Sequence, residues 1–170
     1  MDLASYIRNI PDFPRPGIQF KDITTLLKDR DAFRETIDRL VELFRNQNVE
    51  LIVGIEARGF IIGAPLAYHL GCGFVPVRKK GKLPAATLAK TYDLEYGSAT
   101  LEIHRDAIQR GQRVLIVDDL LATGGTTKAV CEMVEELGGN IVGVGFVIEL
   151  EALKGREKLT PHRVYSLVRL

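Results

Sequence analysis

Two adjacent acids, Asp118 and Asp119, stand between four apolar residues and a flexible, hydroxyl-bearing segment in VLIVDDLLATGGTT, Val114 to Thr127. Buried carboxylates are costly and neighbouring ones repel, so acids at the end of a hydrophobic strand call for partners. The segment that follows supplies one kind of chemistry. Gly124 and Gly125 permit a sharp turn and close backbone approach. The free N–H groups of a first helical turn, with the hydroxyls of Thr123, Thr126 and Thr127, would cradle a phosphate monoester. The GxxxxGK[ST] pattern is absent, so this is not a Walker-type loop. Taken alone, Ala122 to Thr126 reads equally as a phosphate cradle or a plain Gly-rich turn. Carboxylates cannot bind phosphate, but they accept hydrogen bonds from vicinal hydroxyls and help to hold Mg²⁺. Acids followed by the cradle therefore read as one ribose-5-phosphate site. A bare acid cluster would leave the threonines and glycines unexplained.

Such a site needs elements that bring it to one place, and the hydrophobic periodicity supplies an alternating α/β order. Asp31 to Asn46 has apolar residues at three- and four-residue spacing, which predicts an amphipathic helix with Asp31 as its N-cap. Leu51 to Ile55 predicts a strand covered on both faces, and Gly59 to Leu70 a helix stopped at Gly71. Phe74 to Val77 reads as a second strand, at an edge or a strand end because of Pro76. Val114 to Val117 is a third strand and Gly125 to Leu137 a helix. Ile141 to Ile148 is a fourth strand, and Val164 to Leu170 could add another. Strands separated by helices of this length require right-handed crossovers and a mostly parallel sheet. Pro11 to Lys21 is expected as an irregular cap, and Lys79 to Thr100 as a long irregular loop, which in a compact domain is usually functional or mobile.

In open parallel sheets, ligands bind beyond the carboxyl ends of the strands. Three of the expected strands end in polar, flexible sequence: EARGF, RKKGK and DDLLATGGTT. Arg58 in EARGF falls at a helix start, where the dipole disfavours a cation unless an anion is present. Bulk composition bounds the rest. The 170 residues suggest one domain over 1–170, and a net charge of +1 gives no global attraction to nucleic acid or acidic lipid. No apolar run is long enough for a membrane span, and Cys72 and Cys131 read as two reduced thiols of a cytoplasmic protein. His69, His104 and His162 have no neighbouring nucleophile motif, so hydrolase chemistry has no support.

VLIVDDLLATGGTT resembles the phosphoribosyl-pyrophosphate (PRPP) signature of the type I phosphoribosyltransferases. DFPRPGIQFKDIT, GIEARGF, VPVRKKGKLP, YDLEYG and LEIHRDAI narrow the resemblance to the adenine phosphoribosyltransferase family, from about Ile10 onward. It implies an α/β fold with a central mostly parallel sheet flanked by helices. An N-terminal hood at about 1–30 and a flexible lid loop at about 79–100 complete it. The reaction implied joins adenine to PRPP, giving AMP and pyrophosphate in purine salvage, with Mg²⁺ as cofactor and a homodimer as the assembly.

Residue by residue, the resemblance implies that Asp118, Asp119, Ala122, Thr123, Gly124, Gly125 and Thr126 hold the ribose and its phosphate. The two acids also help to hold the metal, largely through PRPP and water. Arg58, Arg78, Lys79 and Lys82 would neutralise pyrophosphate, with Arg58 bidentate. Glu95 matches the loop glutamate that handles the purine's proton, and Tyr96 the residue that helps to close the lid over PRPP, excluding water. Glu95 taken alone is an ordinary loop acid. Gln19, Phe20 and Lys21 match the positions that read adenine mainly through backbone, with Leu120 against the other face of the purine. The alternative for Phe20 is a core aromatic. Related sequences often carry an aliphatic residue and an Arg at positions 19 and 21. Two alternatives stand beside this: a 6-oxopurine enzyme, or a PRPP-sensing regulator. The regulator would need a basic nucleic-acid surface or added module, and this chain has neither.

Overall fold

The structure is a computed structural model and describes residues 1–94 and 96–170. A short 3₁₀ turn, Leu3–Tyr6, leads into β1 (Arg8–Pro11) and β2 (Gln19–Asp22), an antiparallel hairpin with Ile10 opposite Phe20. The proline-rich cap is thus more regular than its composition predicts. Its prolines fall at the end of β1 or in the connection, where no ladder N–H is lost. A single helical turn, α1 (Thr24–Leu27), precedes α2 (Arg30–Phe44). Asp29, not Asp31, caps α2, accepting from the N–H groups of Asp31 (3.1 Å) and Ala32 (2.9 Å). Asp31 lies in the first turn, where its charge suits the dipole.

The central sheet is built from β3 (Leu51–Ile55), β4 (Gly73–Lys79), β5 (Thr87–Asp93), β6 (Ser98–His104), β7 (Arg113–Leu121), β8 (Asn140–Glu149) and β9 (Val164–Arg169). Its order is β5-β6-β4-β3-β7-β8-β9. The strands from β4 to β9 in that order are parallel, while β6 runs antiparallel to β4 and to β5. Two crossover helices cover opposite faces. α3 (Arg58–Leu70) buries Ile62, Leu66 and Ala67 in one apolar cluster with α2, and α4 (Gly125–Glu136) buries Val130, Met133 and Val134 in the other. None of the described helices is long and apolar enough to cross a membrane.

Residues 79–100 depart most from expectation. Within them Thr87–Asp93 forms β5 and Ser98 opens β6, a hairpin that extends the sheet at one edge. Thr87, Ala89 and Thr91 alternate with apolar or long side chains. Such a weak two-residue period does not stand out when small and polar residues dominate both faces. Pro76 sits within β4 opposite Gly54. The ladder from β6 meets β4 only at Arg78 and Lys79, so the proline occupies a locally open side.

β3 is the hinge of the topology. The chain leaves it through α3 towards β4 on one side, and leaves its neighbour β7 through α4 towards β8 on the other. That reversal opens a crevice between the carboxyl ends of β3 and β7, where open α/β sheets bind ligands.

Candidate active site

β7 continues past the expected Val117 to Leu121, so Asp118 and Asp119 are strand residues. β3 pairs with β7 only as far as Val117, whereas β8 follows β7 to its end. The acids therefore stand beyond β3, with their β3 side open to the crevice. The sequence predicts acids outside the core; Asp119 is instead only 4% exposed. Its charge is met by Arg58, whose Nε donates to Asp119 Oδ2 at 2.5 Å. Burial alone would lower the Arg58 value, but the bond and charge of Asp119, with Asp118 and Asp22 behind, hold it above normal. Asp118 forms no ion pair among the described residues, and the Arg58 charge offsets its environment only in part. Burial first, and the neighbouring Asp119 charge second, push its carboxyl well above the usual range. Its Oδ1 accepts the Asp119 backbone N–H at 2.8 Å.

The turn from β7 to α4 forms the cradle. Gly124 adopts a left-handed φ of 89° that favours glycine, and no side chain caps α4. The first N–H groups of α4 therefore remain available to an anion. A cavity of about 90 Å³ opens there, lined by Asp118, Leu120, Ala122, Thr123, Gly124, Gly125 and Thr126 among others. A larger open groove of about 520 Å³ lies between α2 and β9, lined by Glu35, Leu43 and Leu167, but contains none of the strand-end residues.

Across the crevice, Glu56 organises the basic end of β4. Its Oε2 accepts the Lys79 backbone N–H at 2.7 Å, and its Oε1 lies 3.5 Å from an Arg78 terminal nitrogen. The Lys79 N–H, and then the Arg78 and Lys79 charges, hold Glu56 below the usual carboxylate range despite burial. The Arg78 Nε is buried and has no partner among the described residues. A buried donor without an acceptor is costly, and an anionic ligand would relieve it. Lys79 and Lys82 are exposed and form no ion pair among the described residues.

The β1–β2 hairpin projects over this crevice. Phe20 is half-buried and belongs to neither core cluster, so it is not a core aromatic. Its ring packs edge-on against Phe13 at 5.2 Å, and the Arg58 guanidinium lies 5.7 Å from its centroid. Strand alternation turns Gln19 and Lys21 to the opposite face, where both side chains bond to Asn9 (2.7 and 2.9 Å). Leu120 is half-buried beside the acids. Tyr96, near the tip of the β5–β6 hairpin, is exposed, and the Arg15 guanidinium stands 4.9 Å from its ring centroid. Glu95 lies outside the described residues.

Several pairings were not expected from sequence, although Glu56 falls in the expected pyrophosphate loop, Glu56 to Gly59, and Asp22 within the expected hood. Asp22 accepts from Arg8 Nε (3.0 Å) and terminal nitrogen (2.6 Å), and from Thr24 N (2.9 Å), anchoring the hood at its base. Burial would raise its value, but the Thr24 N–H and Arg8 outweigh it. Tyr92 bonds to the Thr126 hydroxyl at 3.0 Å, tying the hairpin to the cradle. Glu56 carried a signal in GIEARGF; the Arg8–Asp22 and Tyr92–Thr126 pairs are long-range and carried none. Among the described residues, no three His, Cys, Asp or Glu groups converge on one metal position.

Comparison with known proteins agrees with this arrangement. A family model described as a phosphoribosyl transferase domain matches residues 22–167. An adenine phosphoribosyltransferase of Chloroflexus aurantiacus is 62% identical over 167 residues, covering 98% of this chain and 96% of the relative. The crystal structure of adenine phosphoribosyltransferase from Thermoanaerobacter pseudethanolicus superposes with a TM-score of 0.97 at 54% identity, covering 99% and 98% of the two chains. That from Saccharomyces cerevisiae, complexed with D-2,5-dideoxy-2,5-imino-altritol 1,6-bisphosphate and adenine, has a TM-score of 0.92 at 44% identity, covering 98% and 96%.

Proposed function

The chain belongs to the adenine phosphoribosyltransferases of the type I phosphoribosyltransferase family, and we propose that it carries out that reaction in the crevice between β3 and β7. It transfers the 5-phosphoribosyl group of PRPP to adenine, giving AMP and pyrophosphate. One observation carries the assignment of the site. Two acids lie near the end of β7, the uncapped start of α4 stands just beyond them at Gly125, and Arg58 reaches Asp119 from β3's side of the switch point.

The roles follow from the chemistry. Asp118 and Asp119 accept the ribose hydroxyls, and the turn from Ala122 to Thr126 takes the 5-phosphate on its N–H and hydroxyl groups. As the bond at the anomeric carbon breaks, cation character grows on the ribose and negative charge on the departing pyrophosphate. Arg58, Arg78, Lys79 and Lys82 stabilise the leaving group, and the partnerless Arg78 Nε is a donor prepared for it. Adenine enters beneath Phe20, with backbone groups of Gln19 to Lys21 reading its edge and Leu120 against its face. The turning of the Gln19 and Lys21 side chains towards Asn9 supports recognition by backbone. Glu95 manages the purine proton, and Tyr96 closes the hairpin tip against Arg15, excluding water.

Mg²⁺ fits the donor set as a substrate-borne ion. Asp118 and Asp119 offer only two carboxylates, one already bonded to Arg58, so phosphate oxygens and water must complete its shell. When bound, the ion supplies charge neutralisation to pyrophosphate. The assembly we propose is a homodimer formed through α3. The two free cysteines, Cys72 and Cys131, suit a reducing cytoplasm. No observation favours a 6-oxopurine substrate or a regulatory role. The test is incubation with PRPP, Mg²⁺ and a panel of purines. AMP and pyrophosphate from adenine are expected, and product from hypoxanthine or guanine alone would overturn the base assignment.

A further inference from the structure

The segment Leu150 to Leu159, LEALKGREKL, has no part in the chemistry above, yet its backbone packs tightly against the phosphate cradle. Lys154, with a left-handed φ of 53°, joins two 3₁₀ turns, Glu151–Leu153 and Gly155–Leu159. Gly155 lies directly against the cradle. A Cβ there would overlap the Ala122 carbonyl oxygen and come within 3.1 Å of the Thr123 carbonyl carbon. The contact is reciprocal, since a Cβ on Gly124 would meet the Gly155 carbonyl oxygen at 2.6 Å. No side chain caps α4, and this second backbone packs against the cradle as its floor.

The floor is itself clamped. Arg156 donates from Nε to Glu149 Oε1 (2.9 Å), from one terminal nitrogen to Oε2 (2.6 Å), and from the other to the Val164 carbonyl (2.9 Å). Glu149, 5% exposed, ends β8 opposite Leu121, the last residue of β7. The Leu150 N–H returns to the Leu121 carbonyl at 2.9 Å. A closed circuit of contacts therefore runs from Leu121 through Glu149, Arg156 and Gly155 back to Gly124. Ser166 adds a bond to Glu149 Oε2 at 2.7 Å.

We propose that Glu149, Arg156 and Gly155 are positioning residues for the 5-phosphate of PRPP: they fix the backbone against which the cradle's N–H groups are aimed. This rests on the assignment of the cradle to that phosphate. It predicts that loosening the clamp weakens phosphate-bearing ligands selectively and leaves adenine recognition, which belongs to the hood, in place.

The test compares Gly155→Ala and Arg156→Lys with the wild-type chain. Lysine keeps the charge but cannot span both Glu149 oxygens. Ribose 5-phosphate binding is measured by calorimetry, alongside the KM values for PRPP and adenine, at a temperature where circular dichroism shows each variant folded. Affinity for ribose 5-phosphate is expected to fall about tenfold, equivalent to one well-placed hydrogen bond, and the PRPP KM to rise in parallel. The adenine KM should stay within about twofold, well inside that margin. If Gly155→Ala does not fold, Arg156→Lys decides alone. Unchanged ribose 5-phosphate affinity, or equal losses for both substrates, would overturn the proposal. A wild-type chain that neither binds ribose 5-phosphate nor forms AMP would overturn the functional reading instead.

Discussion

Arg58 and Asp119, 61 positions apart in sequence, meet across the crevice with Nε and Oδ2 at 2.5 Å, which makes the acid a partner of the arginine as well as of the sugar we propose it holds. The pair fixes the guanidinium between the acids and the Phe20 ring. A lysine at position 58 would keep the charge but lose the planar fork that can serve Asp119 and an anion together. Arg58→Lys is therefore expected to lower kcat/KM for PRPP by about 10²-fold, close to the effect of removing a preorganised donor outright. A loss of twofold or less in steady-state kinetics would show that charge alone suffices.

Asp118 is the costly member of the pair. A carboxyl whose folded value lies above its unfolded one destabilises the protein increasingly as pH rises from about 3.9, and fully above the folded value. Asp118→Asn removes that cost together with the ribose acceptor. Activity should fall severely while the melting temperature of the ligand-free chain rises, by roughly 2–4 °C for each kcal/mol relieved. The gain should be larger at pH 8 than at pH 5. Calorimetric scans with no gain at either pH would mean that neither burial nor the Asp119 charge strains Asp118.

Tyr92 and Lys90 both tie the β5–β6 hairpin to α4, but in unequal environments. The Tyr92–Thr126 bond at 3.0 Å is part-buried beside the cradle, whereas the Lys90–Glu132 pair at 2.6 Å is exposed and screened. Tyr92→Phe is expected to raise the PRPP KM about five- to tenfold, the loss of one such bond. Lys90→Ala should leave it nearly unchanged. Equal effects in a kinetic comparison would reject this ordering.

α3 is apolar on two sides. Ile62, Leu66 and Ala67 are buried, while Ile61, Ala64 and Tyr68, the last 83% exposed, line the outer side with half-buried Pro65. A helix apolar all round is normally covered, and a second copy of this chain is the cover we propose. Sedimentation should report a dimer for the wild type and a shift towards monomer for Tyr68→Glu. A wild-type monomer at micromolar concentration would exclude it.

Legibility followed the range of the forces involved. Leu51–Ile55, the helix from about Gly59 to Leu70 and the Gly-rich turn into α4 were readable because hydrophobic period, glycine stops and turn residues are local. The β5–β6 hairpin was not, because its strands are settled by docking on β4 and α4, as Thr126 and Glu132 show. Asp118 and Asp119 were legible as candidate site residues but not as strand residues. The partnership that lets Asp119 be buried comes from Arg58 on another element. Gly155 gave no signal, since its only distinction is the backbone it touches.

Glu149 ties stability to pH in the opposite sense from Asp118. Its bond to Arg156 first, then Ser166 and Arg169, outweigh burial and lower its carboxyl to about 2. A group depressed on folding stabilises fully above its unfolded value, about 4.3, and loses that contribution as pH falls towards the folded one. The window is therefore pH 4.3 down to about 2, and the contribution at neutral pH is at most on the order of 3 kcal/mol. Glu149→Gln should be less stable than the wild type at pH 7, converge with it near pH 2, and show a flatter acid limb between. Parallel acid-unfolding curves for the two chains would mean that the Arg156 clamp contributes no proton-linked stability.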